Sequence, residues 1–331
     1  MRPEPSTAGD APAIRRLADV PRVPLVRTPS PLEEMSRLRA ALGAGSRLLV
    51  KRDDAIPFGF GGNKVRKLEY VAAAALAEGA DTLVTVGGVQ SNHARATAAT
   101  AAALGLRCLI IANGTRPDRP TANALLDVLL GAEVEYIASR DEREPAMARA
   151  FDRLRAEGRR PYLVPLGAST PLGALGLVRA IGELLEQATA PDAIVHASSS
   201  AGTQAGLMAG CALHGLRTRV IGVSADDPAA DIAAKVREVM LGIGTMLGSD
   251  ALASARDVEV DDGRIGDGYG VPTDASREAQ RLAARTEGFF VDHTYTAKAL
   301  GALVAYLREG RFREDETVLF WHTGGQVGLF A

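Results

Sequence analysis

"GFGGNKVRKLEY", residues 59–70, sets the problem. The apolar spacing after the glycines is helical: Val65, Leu68, Ala72, Ala75 and Leu76 share one face. Asn63 reads as the N-cap, with two glycines leading into it. Yet Lys64, Arg66 and Lys67 crowd the first turn, where the helix dipole is already positive. A local rule broken in this way often marks a functional site. An anion beside that turn, or a lysine that benefits from a depressed pKa, would account for it.

On both sides of this stretch, short apolar runs alternate with Ala/Leu-rich amphipathic stretches. The strand candidates are "SRLLVKRDD", "DTLVTVGG", "RCLIIANG", "AEVEYIAS", "PYLVPLGAS", "DAIVHASSS", "RVIGVSAD" and "ETVLFWHTGG", with helices between them. Continuous apolar strands in β–α alternation predict parallel sheets covered on both faces. About eight strands is many for one sheet, so two open α/β domains sharing a cleft are expected. No linker marks a boundary, and the chain is expected to cross between domains more than once.

Bulk properties narrow the function. The 331 residues are 47% hydrophobic and 24% charged, which suits a globular protein with a sizeable core. A net charge of −2 gives no electrostatic case for nucleic acid or an anionic membrane. Cys108 and Cys211 sit in apolar runs and read as small buried hydrophobes. No metal-ligand spacing links the two cysteines and five histidines. "MRPEPSTAGDAPAIRR" lacks the apolar segment of a secretory signal, and no apolar run is long enough to span a bilayer. The expectation is a cytoplasmic protein whose first ten or so residues are loosely ordered.

Ligands of open α/β sheets bind beyond the carboxyl ends of the strands. "VGGVQSNHAR", 86–95, leaves a strand through two glycines and offers Gln90, Ser91, Asn92 and His93, more polar groups than a cap requires. "HASSSAGTQAGLMAG", 196–210, joins a strand to a helix through a Ser/Gly/Thr turn suited to a phosphate. It is neither a Walker A motif nor a dinucleotide fingerprint. "FWHTGGQVG" (320–328), "DHTYTAKAL" (292–300) and "GDGYGVPT" (266–273) add Thr323, Tyr295, Thr296 and Tyr269 in polar or glycine-rich loops. A lysine and a phosphate cradle without nucleotide fingerprints suggest pyridoxal phosphate chemistry.

Taken in order, "KRDD…FGFGGNKVRKLEY", "VQSNHAR", "SSSAGTQAGL", "YTAKAL" and "HTGG" resemble the pyridoxal-phosphate enzymes of fold type II. The group they are most like holds the D-cysteine desulfhydrases and 1-aminocyclopropane-1-carboxylate deaminases. "PRVPLVRTPSPLEEMSRL", 21–38, is also similar to that group, and the resemblance runs from about residue 20 to the end. It implies a tryptophan-synthase-β-like fold with the cofactor, pyridoxal 5'-phosphate, between two domains. Residues 1–66 and 176–331 would form the large cofactor-binding domain and 67–175 the small one.

The resemblance also implies roles. Lys64 would bond covalently to the cofactor and later remove the Cα proton of the substrate. Lys67 and the turn Ser200, Ala201, Gly202, Thr203 would meet the phosphate. Asn92 would reach the 3'-oxygen of the pyridine ring, and Thr296 its nitrogen. Ser91, Asn92 and His93 would hold the substrate carboxylate, with Tyr295 against the ring and Tyr269 near the substrate. The implied reaction is α,β-elimination from a small β-substituted amino acid, best represented by D-cysteine going to pyruvate, ammonia and sulfide. Thr296 stands where the deaminases carry Glu, and the His of "QSNH" also fits the desulfhydrases. The two glycines before "VQSN" look deaminase-like. "IPFGFGGNK" departs from the usual spacing, and Thr273 replaces a usual Asn. Deaminase chemistry, L-cysteate sulfo-lyase chemistry and β-replacement stay open as alternatives, as does a non-catalytic binding role. The group's members are usually homodimers, which sets the same expectation here.

Overall fold

The computed structural model describes residues 9–252 and 257–331. Residues 1–8 of the stretch expected to be loosely ordered lie outside the described residues. In chain order the elements are α1 (Ala11–Asp19), β1 (Leu32–Glu34), α2 (Ser36–Leu42), β2 (Arg47–Arg52), α3 (Asn63–Ala77), β3 (Thr82–Gly88), α4 (Asn92–Ala103), β4 (Arg107–Asn113) and α5 (Ala122–Leu129). There follow β5 (Glu133–Ile137), α6 (Arg143–Ala156), β6 (Pro161–Val164), α7 (Pro171–Gln187), β7 (Ala193–Ser198), α8 (Gly202–Leu213) and β8 (Arg219–Ser224). The chain then runs through α9 (Ala229–Leu247), β9 (Glu259–Asp261), α10 (Asp274–Leu282), α11 (Thr296–Arg308) and β10 (Thr317–His322).

The strands form two sheets. One has the order β1-β2-β10-β7-β8-β9 and the other β5-β4-β3-β6. Every pairing is parallel except β1 with β2. The chain leaves the first sheet after β2, completes the second, and returns at β7. All six residues of β7 are buried, as are the first six of β3. Such runs follow from helices covering both faces of a parallel sheet. The eight expected strands are present. The additional two, β1 and β9, have three residues each, too short to stand out as apolar runs. Cys108 and Cys211 are buried and free, and burial pushes both thiols up to about 12. No helix among the described residues is long and apolar enough to cross a membrane.

The helix that opened the analysis, α3, departs from its expected start. Gly62, at φ 99°, takes the N-cap position, a conformation open to glycine. Asn63 enters the first turn instead, and its Nδ2 donates to Thr203 Oγ1 at 2.8 Å. Val65, Leu68, Ala72 and Ala75 are buried, whereas Leu76 is 41% exposed and falls off the apolar face.

Arg66 settles one of the three crowded cations. It donates to Asp53 Oδ1 at 2.8 and 2.9 Å and to both carboxylate oxygens of Glu183 at 2.8 and 2.9 Å. Ser30 and Trp321 also donate to Asp53, and Lys51 donates to Glu183 at 2.6 Å. One buried knot therefore joins the end of β2, α3, α7 and β10. Burial alone would raise the Glu183 carboxyl, but Arg66 and then Lys51 outweigh it and hold it at about 2. α7 also packs tightly on α3: a Cβ on Gly176 would lie 2.1 Å from the carbonyl oxygen of Arg66.

Removing one partner of a buried ion pair strands the other. Asp53→Ala is expected to lower the unfolding free energy by about 3–5 kcal/mol, read from denaturant titration. A loss below 1 kcal/mol would mean that Glu183 alone satisfies Arg66. Because Glu183 is depressed from 4.5 to about 2, its contribution is fully present above pH 4.5 and is lost as pH falls through 2.

Candidate active site

Strand-end segments of both sheets line one cleft. The six-stranded sheet contributes Asn63 and Lys64 after β2, Ser198–Ala201 at the end of β7, Asp226 after β8 and Thr323 after β10. The four-stranded sheet contributes Gly88 and Ser91–His93 from β3, Arg140 and Arg143 after β5, and Gly167 after β6. This is where an open α/β sheet binds its ligand.

Lys64 keeps part of its surface open to the cleft but sits deep, and its Nζ donates to Asn63 Oδ1 at 3.1 Å. Burial lowers its pKa from 10.5 to about 8, the cation of Arg95 adds to the effect, and Asp292 opposes it. Arg95, 2% exposed, is held by the carbonyls of Gly59 and Gly61 in the loop before α3. The amine at the centre of the cleft is therefore partly neutral near pH 7, as a nucleophile or base requires.

The first turn of α8 leaves its backbone N–H groups without helical partners. Ala201, at φ 67°, turns the preceding loop through a left-handed conformation that side chains disfavour. Thr203 Oγ1 accepts from Asn63, so its own proton is free. Behind the loop, Lys67 Nζ donates to Ser169 Oγ at 3.0 Å, and Ser169 Oγ lies 2.8 Å from Ser200 Oγ. Lys67 is fully buried and has no carboxylate partner among the described residues. Its pKa falls well below 10.5, chiefly through burial and then through Lys64. A cradle of N–H groups and hydroxyls with an unneutralised lysine behind it fits a phosphate dianion, and with Lys64 beside it fits pyridoxal phosphate.

The start of α4 forms a second polar end. Ser91 Oγ accepts from Ala94 N at 3.2 Å, leaving its proton available to the cleft. The hydroxyl of Thr85 donates to Val164 O at 2.9 Å and lies 2.8 Å from His93 Nε2. That contact fixes the His93 ring. Burial, then Lys64, holds its pKa at about 3, and it is neutral.

Two tyrosines close the cleft. Their hydroxyls are hydrogen-bonded, and their rings meet edge-on with centroids 5.7 Å apart. Burial first raises both pKa values, that of Tyr295 far above 10, so both are proton donors at neutral pH. Asp292 fixes the approach to Tyr295: its Oδ2 accepts from Thr294 N and Tyr295 N at 2.9 Å. Arg140 pairs with Asp226 at 2.6 Å and stacks over the Tyr269 ring, linking the two halves across the mouth.

Of the residues singled out from sequence, Lys64, Ser91, Asn92, His93, Ser200, Ala201, Thr203, Tyr269 and Tyr295 line this cleft. Lys67, Gly202 and Thr296 do not. Lys67 acts through Ser169. Gly202 packs against Ser169, where a Cβ would lie 2.7 Å from its Oγ. The Thr296 hydroxyl is spent on Asp292, donating to Oδ1 at 2.7 Å and accepting from the backbone N–H at 2.9 Å. Sequence reasoning missed Asn63, Arg140, Arg143 and Asp226, although the last three follow strands and the strand-end rule reaches them.

Comparison with known proteins bears on the fold and the cofactor. The family model for pyridoxal-phosphate dependent enzymes matches residues 23–324. A D-cysteine desulfhydrase of Serratia proteamaculans (strain 568) is 40% identical over 326 residues, covering 96% of this chain and 97% of the relative. One from Salmonella typhi is 39% identical, covering 96% and 98%. A solved structure described as an ACC deaminase homologue superposes with a TM-score of 0.90 at 34% identity, covering 97% of this chain and 96% of that one. A pyridoxal 5'-phosphate-dependent aspartate racemase shares the fold, with a TM-score of 0.70 at 16% identity over 97% of each chain.

In the cofactor-free protein, acetylation of Lys64 by acetic anhydride is expected to rise with pH about a midpoint near 8, read by peptide mass spectrometry. A midpoint at the ordinary 10.5 would show that the cleft does not depress this amine.

Proposed function

The chain belongs to the pyridoxal-phosphate dependent enzyme family, and we propose that it catalyses α,β-elimination from D-cysteine, releasing pyruvate, ammonia and sulfide. The observation that carries this reading is the near-full-length identity of about 40% with D-cysteine desulfhydrases, combined with a buried, depressed lysine between two anion-binding helix starts.

Pyridoxal phosphate, when bound, supplies an electron sink for the charge released as the Cα proton leaves. Its phosphate would be held by the Ser200–Thr203 turn, with Lys67 behind it. Lys64 would bind it covalently and, when free, would take the Cα proton at Nζ; a pKa of about 8 suits that task at neutral pH. Ser91 Oγ and the N-terminus of α4 hold the substrate carboxylate, with neutral His93 beside them. Asn92 would donate to the ring's 3'-oxygen. Tyr295 would lie against the ring. Tyr269, kept protonated, would serve as a donor to the departing sulfur. Thr296, bonded to Asp292, reaches the ring nitrogen only if it gives up one of those bonds; Thr323 already lines the cleft and is a neutral alternative. A neutral partner there favours elimination over ring opening. The ACC deaminase homologue among the similar structures supports ring-opening deamination as the second reading.

A panel of D-cysteine, L-cysteine, β-chloro-D-alanine, L-cysteate and 1-aminocyclopropane-1-carboxylate separates these readings. Pyruvate and sulfide from D-cysteine are expected, with Lys64→Ala silent on every compound. 2-Oxobutyrate from the cyclopropane, without sulfide from D-cysteine, would replace the first reading by the second.

We also propose a cytoplasmic homodimer. Two free, buried cysteines suit a reducing compartment. α5 exposes Leu125, Val128 and Leu129 beside the C-terminal turn that exposes Phe330. Contiguous exposed apolar side chains of this kind mark contact surfaces. Light scattering is expected to report a dimer that Leu129→Glu with Phe330→Glu converts to a monomer. An unchanged mass would place the interface elsewhere.

A further inference from the structure

The amide side chains of Gln90, Asn123 and Asn92 form a chain anchored to backbone at Gln90 and Asn123. Gln90 Nε2 donates to Thr121 O at 3.2 Å, and Gln90 Oε1 accepts from Asn123 N at 2.9 Å. Asn123 Nδ2 donates to Gln90 O and to Asn92 Oδ1, each at 2.9 Å.

A backbone carbonyl only accepts, so the Asn123 atom facing Gln90 O is its nitrogen. That nitrogen only donates, so the Asn92 atom facing it is oxygen. The Asn92 amide is thereby left with one free end, its NH₂, and Asn92 lines the cleft. An asparagine without such a neighbour presents either end with little preference. Asn123 is fully buried, and its position is built at a cost. Ala122, immediately before it, holds φ at 46°, a conformation that non-glycine residues disfavour.

We propose that Asn123 is a positioning residue for the cofactor: it locks the Asn92 amide so that a donor, never an acceptor, faces the 3'-oxygen of pyridoxal phosphate. The inference rests on the reading that Asn92 meets that oxygen. Gln90 holds Asn123 in register, so a motif that reads as a substrate loop also orients the cofactor contact from behind.

The test compares binding of pyridoxal phosphate and its 3-deoxy analogue to the cofactor-free protein. The analogue lacks only the oxygen in question. Asn123→Ala is expected to weaken pyridoxal phosphate about twofold, because an amide free to present either end is competent about half the time, and to leave the analogue unchanged. Asn92→Ala is expected to weaken pyridoxal phosphate about tenfold, the size of one lost hydrogen bond to a charged group, again with the analogue unchanged, and the double variant no more than Asn92→Ala, because Asn123 acts through Asn92. Wild-type affinities in Asn123→Ala, with Asn92→Ala weakened, would overturn the locking role alone. Equal affinities for both ligands in Asn92→Ala would overturn the placement of Asn92 and the inference with it. If thermal unfolding shows that Asn123→Ala does not fold, Asn123→Asp carries the same test, since a carboxylate of the same shape accepts from Asn92 and turns its oxygen to the cleft.

Discussion

The structure depends on where the Arg66 guanidinium goes. It is buried against Asp53 and Glu183, with Ser30, Trp321 and Lys51 completing the network. A buried ion cluster of this kind adds little net stability over a well-packed apolar substitute, because desolvation consumes most of the Coulombic gain. Its value here is geometric. An apolar face tolerates rotation and sliding of a helix, whereas a bidentate guanidinium does not. Arg66 lies two residues beyond Lys64 on the same first turn. Fixing the rotation of α3 at Arg66 therefore fixes the direction in which Lys64 leaves the helix.

The three cations of that turn are assigned to three different tasks. Arg66 is neutralised by acids from β2 and α7. Lys67 is buried behind hydroxyls without an acid. Lys64 faces the cleft, with Arg95 beyond it. Burial and then Lys64 depress Lys67, burial and then Arg95 depress Lys64, and holding Lys64 at about 8 costs folding free energy on the order of a few kcal/mol at neutral pH. A bound dianion reverses that conflict, because the charge that destabilises the empty cleft is the charge that binds the phosphate. The cleft is built for its ligand rather than for the stability of the free chain.

Much of this was legible in the sequence. Eight strands were readable because strands covered on both faces are continuous apolar runs. Lys64, Ser91, Asn92 and the Ser200–Thr203 turn were readable because polar and glycine residues gather at strand ends. The misreadings have local causes. Gly62 displaces Asn63 as the cap because its φ of 99° is available to glycine, and Asn63 is then recruited to Thr203, 140 positions away. The distance between Lys67 and the cleft depends on Ser169, a hundred residues on, which nothing in "NKVRKLEY" encodes. Asn123 sits in "PTANALLDVLLG", which reads as an amphipathic helix and nothing more; its role comes from the packing of α5 on α4.

Specificity has a different address from the cofactor machinery. The deep cleft is set by α3, α4 and α8, whose helix starts and hydroxyls serve any amino acid bound to a phosphate-bearing cofactor. The mouth is set by Arg140, Arg143, Asp226 and Tyr269, drawn from the start of α6 and the segment before it, the loop after β8 and the loop before α10. Arg143 donates to Asn113 and has no carboxylate partner among the described residues. The Arg140–Asp226 pair ties one sheet's loops to the other's directly over Tyr269. A β-substituent that departs with its bonding electrons develops negative charge at this end of the cleft. Protonated tyrosines and a guanidinium without a carboxylate partner suit such a charge. The mouth, more than the motifs that identify the family, is therefore where the proposed preference for elimination would be set.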